Sequence, residues 1–193
     1  MLFPIYAPKV LDALLSWADV ALMNFRPGVA ESVGLDGATL KRRFPELVTA
    51  TVTAFGTEGP DAELAGMDIV VQARSGLMAA QGRVLDGRPA PGEPVPADYM
   101  CAMTLAFGIA SALFRRERSG GGGQVDVSLM HSAMTLANNQ MFFAQDHDGE
   151  RRAGALSRLA AQREGGASYV EQLGTMQEAV MRPIMKVYYR TYE

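Results

Sequence analysis

The sequence predicts an α/β protein built on a parallel sheet, and three observations carry that prediction. Val20-Ala21-Leu22-Met23 and Leu47-Val48-Thr49-Ala50-Thr51-Val52-Thr53 are short apolar or β-branched runs closed by Gly and Pro, the pattern of buried strands. Helical stripes precede and separate them with short links, as in a parallel α/β sheet. The chain has 193 residues, 48% of them hydrophobic and 20% charged, enough for one domain or at most two around a real core.

The elements follow in order. Ala7–Ala18 reads as a helix, with Pro8 in its first turn and Val10, Leu11, Leu14, Leu15 and Trp17 along its stripe. The strand Val20–Met23 stops at Phe25-Arg26-Pro27-Gly28, a short helix follows Pro27, and Asp36 caps another that runs to about Phe44. After the Leu47–Thr53 strand, Gly56, Gly59 and Pro60 mark a loop. Gly66–Met78 reads as one helix, and the Pro- and Gly-rich stretch Ala80–Ala97 as a loop. A helix from Asp98 to about Arg118 closes at Gly120–Gly123, followed by a strand at Gln124–Val127 and a helix at Ser128–Phe143. From Gln145 to Gly166 charges, Gly and Ala dominate, as in a linker or exposed helical arm. Ser168–Met181 suits an amphipathic helix, and Lys186–Tyr192 has strand composition. The expected division is therefore 1–144 as the sheet domain and 145–193 as linker, arm and the start of a terminal strand.

Tyr99–Phe114 carries no charge and raises the question of a membrane. A spanning helix needs about 20 predominantly apolar residues. This run is shorter and ends in Arg115-Arg116-Glu117-Arg118, so a helix buried on all sides is the expected reading.

Composition excludes several functions. A net charge of −3, from 18 Lys+Arg against 21 Asp+Glu, argues against a dominant nucleic-acid role. The single Cys101 rules out a disulfide framework and a cysteine-rich zinc site. His131 and His147 leave little for any metal. Met1–Val10 has no basic leader followed by a long apolar stretch, so no signal-peptide pattern is visible and the default expectation is a cytoplasmic chain.

In parallel sheets ligands gather at the carboxyl ends of strands, beside helix N-termini. That rule singles out the loops Asn24–Gly28 and Phe55–Pro60. Asn24, Phe25 and Arg26 thus face a ligand crevice, or form a turn in which Phe25 packs into the core. Asp98 follows a Pro-rich loop at the positive end of a helix dipole, where backbone N–H groups hold carboxylates or oxyanions. From position alone an Asp there is most often a helix cap. Gly120–Gly123 lacks the Lys-Ser/Thr of a phosphate loop and reads as a helix cap and turn. His131 reads as a core histidine, Cys101 as inert, and the methionines as core filler.

Four stretches together resemble the class III CoA-transferase (CaiB–BaiF) family. They are Ala18–Val29 with Gly34-Leu35; Leu47–Ala50 leading to Phe55–Pro60; Gly66-Met67-Asp68 with Gln72-Ala73 and Ser75–Met78; and Pro96-Ala97-Asp98 followed by Arg116–Leu129. The resemblance spans residues 11–144. It implies the Rossmann-like large domain of such an enzyme, incomplete, without the first strand–helix unit, the small domain or the returning C-terminal segment. It also implies transfer of CoA from an acyl-CoA to a carboxylate acceptor, with coenzyme A as substrate, no metal, and a homodimer in the full-length family. Asp98 matches the family's nucleophile, and Asn24, Phe25 and Arg26 match positions that contact the CoA nucleotide. Ser32 stands where some members carry a CoA-contacting arginine. Asp68 matches an acidic position near the active site, or caps the helix that starts there. Related racemases place a histidine base at the position of Met67. The remaining alternatives are a racemase-like isomerase and a catalytically silent fragment.

Overall fold

The computed structural model describes residues 3–138 and 143–180. These gather into two compact units, one formed by the residues up to Val71 with Val95–Ala133, the other by Gln72–Pro94 with those from Met134 onward. Along the chain run α1 (Phe3–Trp17), β1 (Val20–Met23), α2 (Val29–Ser32), α3 (Gly37–Arg43), β2 (Val48–Thr53), α4 (Asp68–Arg74) and α5 (Leu77–Ala80). Then come β3 (Val84–Leu85), β4 (Arg88–Pro89), α6 (Pro96–Ser119), β5 (Gly123–Ser128), α7 (Leu129–Leu136), α8 (Gln145–Glu164) and α9 (Tyr169–Val180).

The first unit holds a parallel sheet in the order β1-β2-β5. Val20 pairs with Val48 and Met23 with Thr51, while Val48 pairs with Gly123 and Thr53 with Ser128. β2 is central, which suits its β-branched composition, and Val48, Thr49 and Ala50 are buried. Among the described residues β1 has a neighbour on one side only, so the expected buried strand is an edge of this sheet. Met23 is buried but Leu22 is 59% exposed.

α1 starts before the expected Ala7, which puts Pro8 inside the helix instead of in its first turn. Its contact stripe is narrower than the sequence suggests. Leu15 packs with Leu11, Met23, Leu40, Leu47 and Phe44, whereas Val10, Leu14 and Trp17 stay exposed. α3 begins as expected, with the Asp36 carboxylate accepting from the Thr39 N–H at 2.9 Å.

α6 departs most from expectation. It is the described helix long and apolar enough to cross a membrane by length and composition, yet it is not buried on all sides. Ala97, Cys101 and Leu105 are buried, while Tyr99, Met103, Phe107 and Phe114 are exposed. One seam packs on β5 and β2. Gly108 permits that approach, since a Cβ there would lie 2.7 Å from Val125 Cγ1. Arg116 fixes the far end by donating to Asp19 Oδ1 at 2.7 Å and to the Glu46 carbonyl at 3.1 Å. Gly120 then closes the helix as expected, its N–H donating to the Arg116 carbonyl at 2.8 Å.

The expected helix Gly66–Met78 is broken into α4 and α5 at Gly76, whose φ is 79°. Within the second unit, the stretch expected to be loop contains an antiparallel hairpin, β3 with β4. Its turn is Asp86-Gly87, with φ of 50° and 73°. That dipeptide is the usual hairpin signal and was legible in the sequence. The Gln72 amide holds this region, accepting from the Gly92 N–H at 2.7 Å and donating to the Gly92 carbonyl at 3.3 Å. The expected linker or exposed arm is helical but not fully exposed: α8 packs on α9, with Ala155, Leu159 and Leu173 buried. The expected strand Lys186–Tyr192 and part of the helix expected through Phe143 lie outside the described residues.

Candidate functional site

The carboxyl ends of β1 and β2 open onto a cavity of about 360 Å³. Asn24, Phe25 and Arg26 from the β1 loop line it with Thr53, Gly66 and Met67. A smaller cavity of about 190 Å³ shares Phe25, Arg26 and Thr53 and extends to Asp36 and Asp126. Local chemistry shapes these walls. The Gly56 N–H donates to Thr53 Oγ1 at 3.0 Å, and Gly56 has a φ of 101°, so the β2 loop turns back sharply. Gly66 sits where a Cβ would come within 2.8 Å of Ala54 Cβ and 3.1 Å of the Phe55 ring. Any side chain there would push the two walls apart.

Phe25 is exposed and lines both cavities, so the reading that packs it into the core does not hold. No group among the described residues pairs with the Arg26 guanidinium, which leaves a cation available to an anionic ligand at this crevice. Met67 is exposed and lines the larger cavity; its thioether has no proton-accepting power at neutral pH.

Asp98 and Asp68 meet each other but are not in the walls of either cavity. α6 starts with Val95 as its cap residue, held at φ 92°, followed by Pro96. Asp98 is therefore three residues inside the helix and is not its cap. The cap is supplied by Asp68, whose Oδ2 accepts from the N–H of Ala97 at 2.8 Å and of Asp98 at 3.0 Å. Asp68 is 5% exposed. It lies in the first turn of α4 yet serves the N-terminus of α6, a role that neither sequence reading of this residue contained. Among the described residues no donor meets the carboxylate of Asp98. Asp98 is exposed, and the desolvation it retains beside the helix, and then the neighbouring Asp68 charge, push its pKa above the usual aspartate value of 3.8.

One turn further, Cys101 is buried, and burial raises its pKa against the opposing influence of the neighbouring Ser132 hydroxyl. His131 is exposed at the start of α7, where its N–H donates to Ser128 Oγ at 3.2 Å, so it is not a core histidine. Met23 and Met78 fill core space, but Met67 and Met103 do not. Among the described residues no group of three or more His, Cys, Asp or Glu could hold a metal ion.

Comparison with known proteins decides the family. The profile of CoA-transferase family III matches residues 7–165. The chain belongs to CoA-transferase family III. It is 40% identical over 129 residues to the cinnamoyl-CoA:phenyllactate CoA-transferase of Clostridium sporogenes, covering 65% of this chain and 31% of that one. It is 38% identical over 125 residues to the acetyl-CoA:oxalate CoA-transferase of Acetobacter aceti, covering 64% and 32%. The crystal structure of a CAIB/BAIF family protein from Brucella suis superposes with a TM-score of 0.64 at 33% identity, covering 69% of this chain and 35% of that one. This family III chain thus spans about a third of the length of the curated relatives it matches. The stretches that carried the resemblance fall on β1 and β2 and the loops after them, on α4 and the start of α5, and on both ends of α6 with β5.

Proposed function

We propose that the protein moves CoA from an acyl-CoA thioester to a carboxylic acid acceptor, with Asp98 as the covalent nucleophile. The observation that carries this reading is an exposed carboxylate at the start of α6 that accepts no hydrogen bond from the described residues, while Asp68 takes the helix's first-turn donors. An Asp98 oxygen attacks the thioester carbon, the C–S bond breaks, and CoA leaves as a thiolate with an acyl–aspartyl anhydride behind it. The thiolate attacks the aspartyl carbonyl, releasing the first acid and leaving CoA on Asp98 as a thioester. The acceptor carboxylate attacks that thioester, breaking its C–S bond to give a new acyl–aspartyl anhydride, and the released thiolate attacks the acyl carbon, forming the new acyl-CoA and freeing the Asp98 carboxylate. No proton acceptor, metal or redox partner enters the balance.

Arg26 serves a phosphate of the CoA nucleotide, with Asn24 and Phe25 beside it, and Asp68 borders the reacting end. Met67 supplies no base for proton abstraction at an α-carbon, which weighs against a racemase. The setting that goes with this reading is a cytoplasmic homodimer, without metal, nucleic acid or membrane. A second reading, a chain that binds the nucleotide without turnover, is favoured by the absence of Asp98 from the walls of the Arg26 cavity.

The test is acyl exchange. The protein is incubated with an acyl-CoA donor and an excess of a second carboxylic acid, and new acyl-CoA is followed by chromatography. The proposal expects exchange that Asp98→Asn abolishes. Binding of CoA with no exchange would favour the silent chain.

A further inference from the structure

We infer that Asp68 is a positioning residue that keeps the Asp98 carboxylate free by occupying the backbone donors Asp98 would otherwise take. The inference rests on the proposed role of Asp98 as nucleophile. The first turn of a helix presents N–H groups without intrahelical partners. At α6, Pro96 has no N–H to present. The Tyr99 N–H already donates to the Val95 carbonyl at 3.1 Å. Within α6 itself Ala97 and Asp98 remain, and both donate to Asp68 Oδ2.

An aspartate in the first turn readily folds back onto such donors. A carboxylate so engaged must break a charge-assisted hydrogen bond before it attacks a thioester. Asp68 removes that competition from a position 30 residues away in sequence, and its charge adds to the basicity of Asp98. Its near-complete burial keeps water from taking its place at the two donors.

The test compares the full chain with Asp68→Ala and Asp68→Asn, each checked for folding by circular dichroism. Two readouts are used: a carbon-detected NMR titration of the Asp98 carboxyl, and the rate at which an acyl-CoA leaves CoA on Asp98. In Asp68→Ala the vacated N–H groups capture the Asp98 carboxylate. Its titration midpoint falls below the ordinary 3.8, and adduct formation slows by about tenfold or more. Asp68→Asn keeps an oxygen on both donors, so the midpoint falls only towards the ordinary value and the rate returns to near that of the unaltered chain. A midpoint that stays raised in Asp68→Ala, or equal slowing in both variants, overturns the inference. Absence of any adduct on the unaltered chain sinks the nucleophile reading alone, because the titration still decides what Asp68 does.

Discussion

The backbone of Asp98 and the side chain of Asp68 are joined by a 3.0 Å hydrogen bond between residues 30 apart in sequence. With the matching 2.8 Å bond from Ala97, it makes α4 the source of the cap for α6. The residue that looks like a helix cap in the sequence is relieved of that duty by a residue on another helix.

Loss of this cap has a measurable cost. Asp68→Ala should destabilise the fold by about 1–2 kcal/mol, the usual effect of removing a capping side chain. Asp68→Asn should recover most of that. Urea denaturation at neutral pH reads both.

Asp98 should act in the opposite direction. Its pKa is raised in the folded chain, so folding favours the protonated form. The stability this group contributes is complete below the ordinary value of 3.8 and is lost as pH rises through the higher folded value. Asp98→Asn should therefore raise the melting temperature at pH 7, with the gain fading as the pH falls through the raised folded value and gone below the ordinary 3.8. A gain that persists unchanged in acid would mean that the charge is not its source.

Val95 occupies the left-handed region at φ 92° immediately before α6. A β-branched side chain is strained there, at about 1–3 kcal/mol. Val95 is exposed and brings little burial to offset this. Val95→Gly should stabilise the chain by about 1 kcal/mol, less the backbone entropy that glycine adds to the unfolded state. Thermal unfolding of the pair checks it.

Much of this arrangement was legible in the sequence, and the failures share a cause. Periodicity and turn residues located β1, β2, α3 and β5, because the pattern of each lies within its own few residues. Asp86-Gly87 carries a hairpin signal too, but the prolines and glycines around it made 80–97 read as a loop, and the hairpin was missed. Burial was harder to read. An uncharged run at 99–114 looks the same whether it is enclosed or packed on one seam, and only tertiary contacts leave Phe107 76% exposed. The crevice at Asn24, Phe25 and Arg26 followed from the strand-end rule. The Asp68 cap had no sequence signal, since it depends on two helix starts being brought together across a long separation.

The α6–β5 contact offers a further check on packing. Gly108→Ala would force a Cβ into the Val125 side chain and should cost about 1–3 kcal/mol. Val125→Ala should make room, so the double variant should lose less than the sum of the two single changes.

At the crevice, Arg26→Ala should weaken binding of CoA by about tenfold, the loss that goes with removing the proposed charge-assisted contact to phosphate. Arg26→Lys should recover part of the affinity, having the charge without the planar fork. Calorimetry at two salt concentrations would show the contact weakening with ionic strength.

Intact-mass spectrometry of the chain after brief exposure to an acyl-CoA, followed by peptide mapping, tests the central claim most directly. The account predicts a CoA-sized addition on the peptide containing Asp98, absent from Asp98→Asn. CoA attached at another residue, or an unmodified Asp98 under conditions where acyl exchange proceeds, would contradict it.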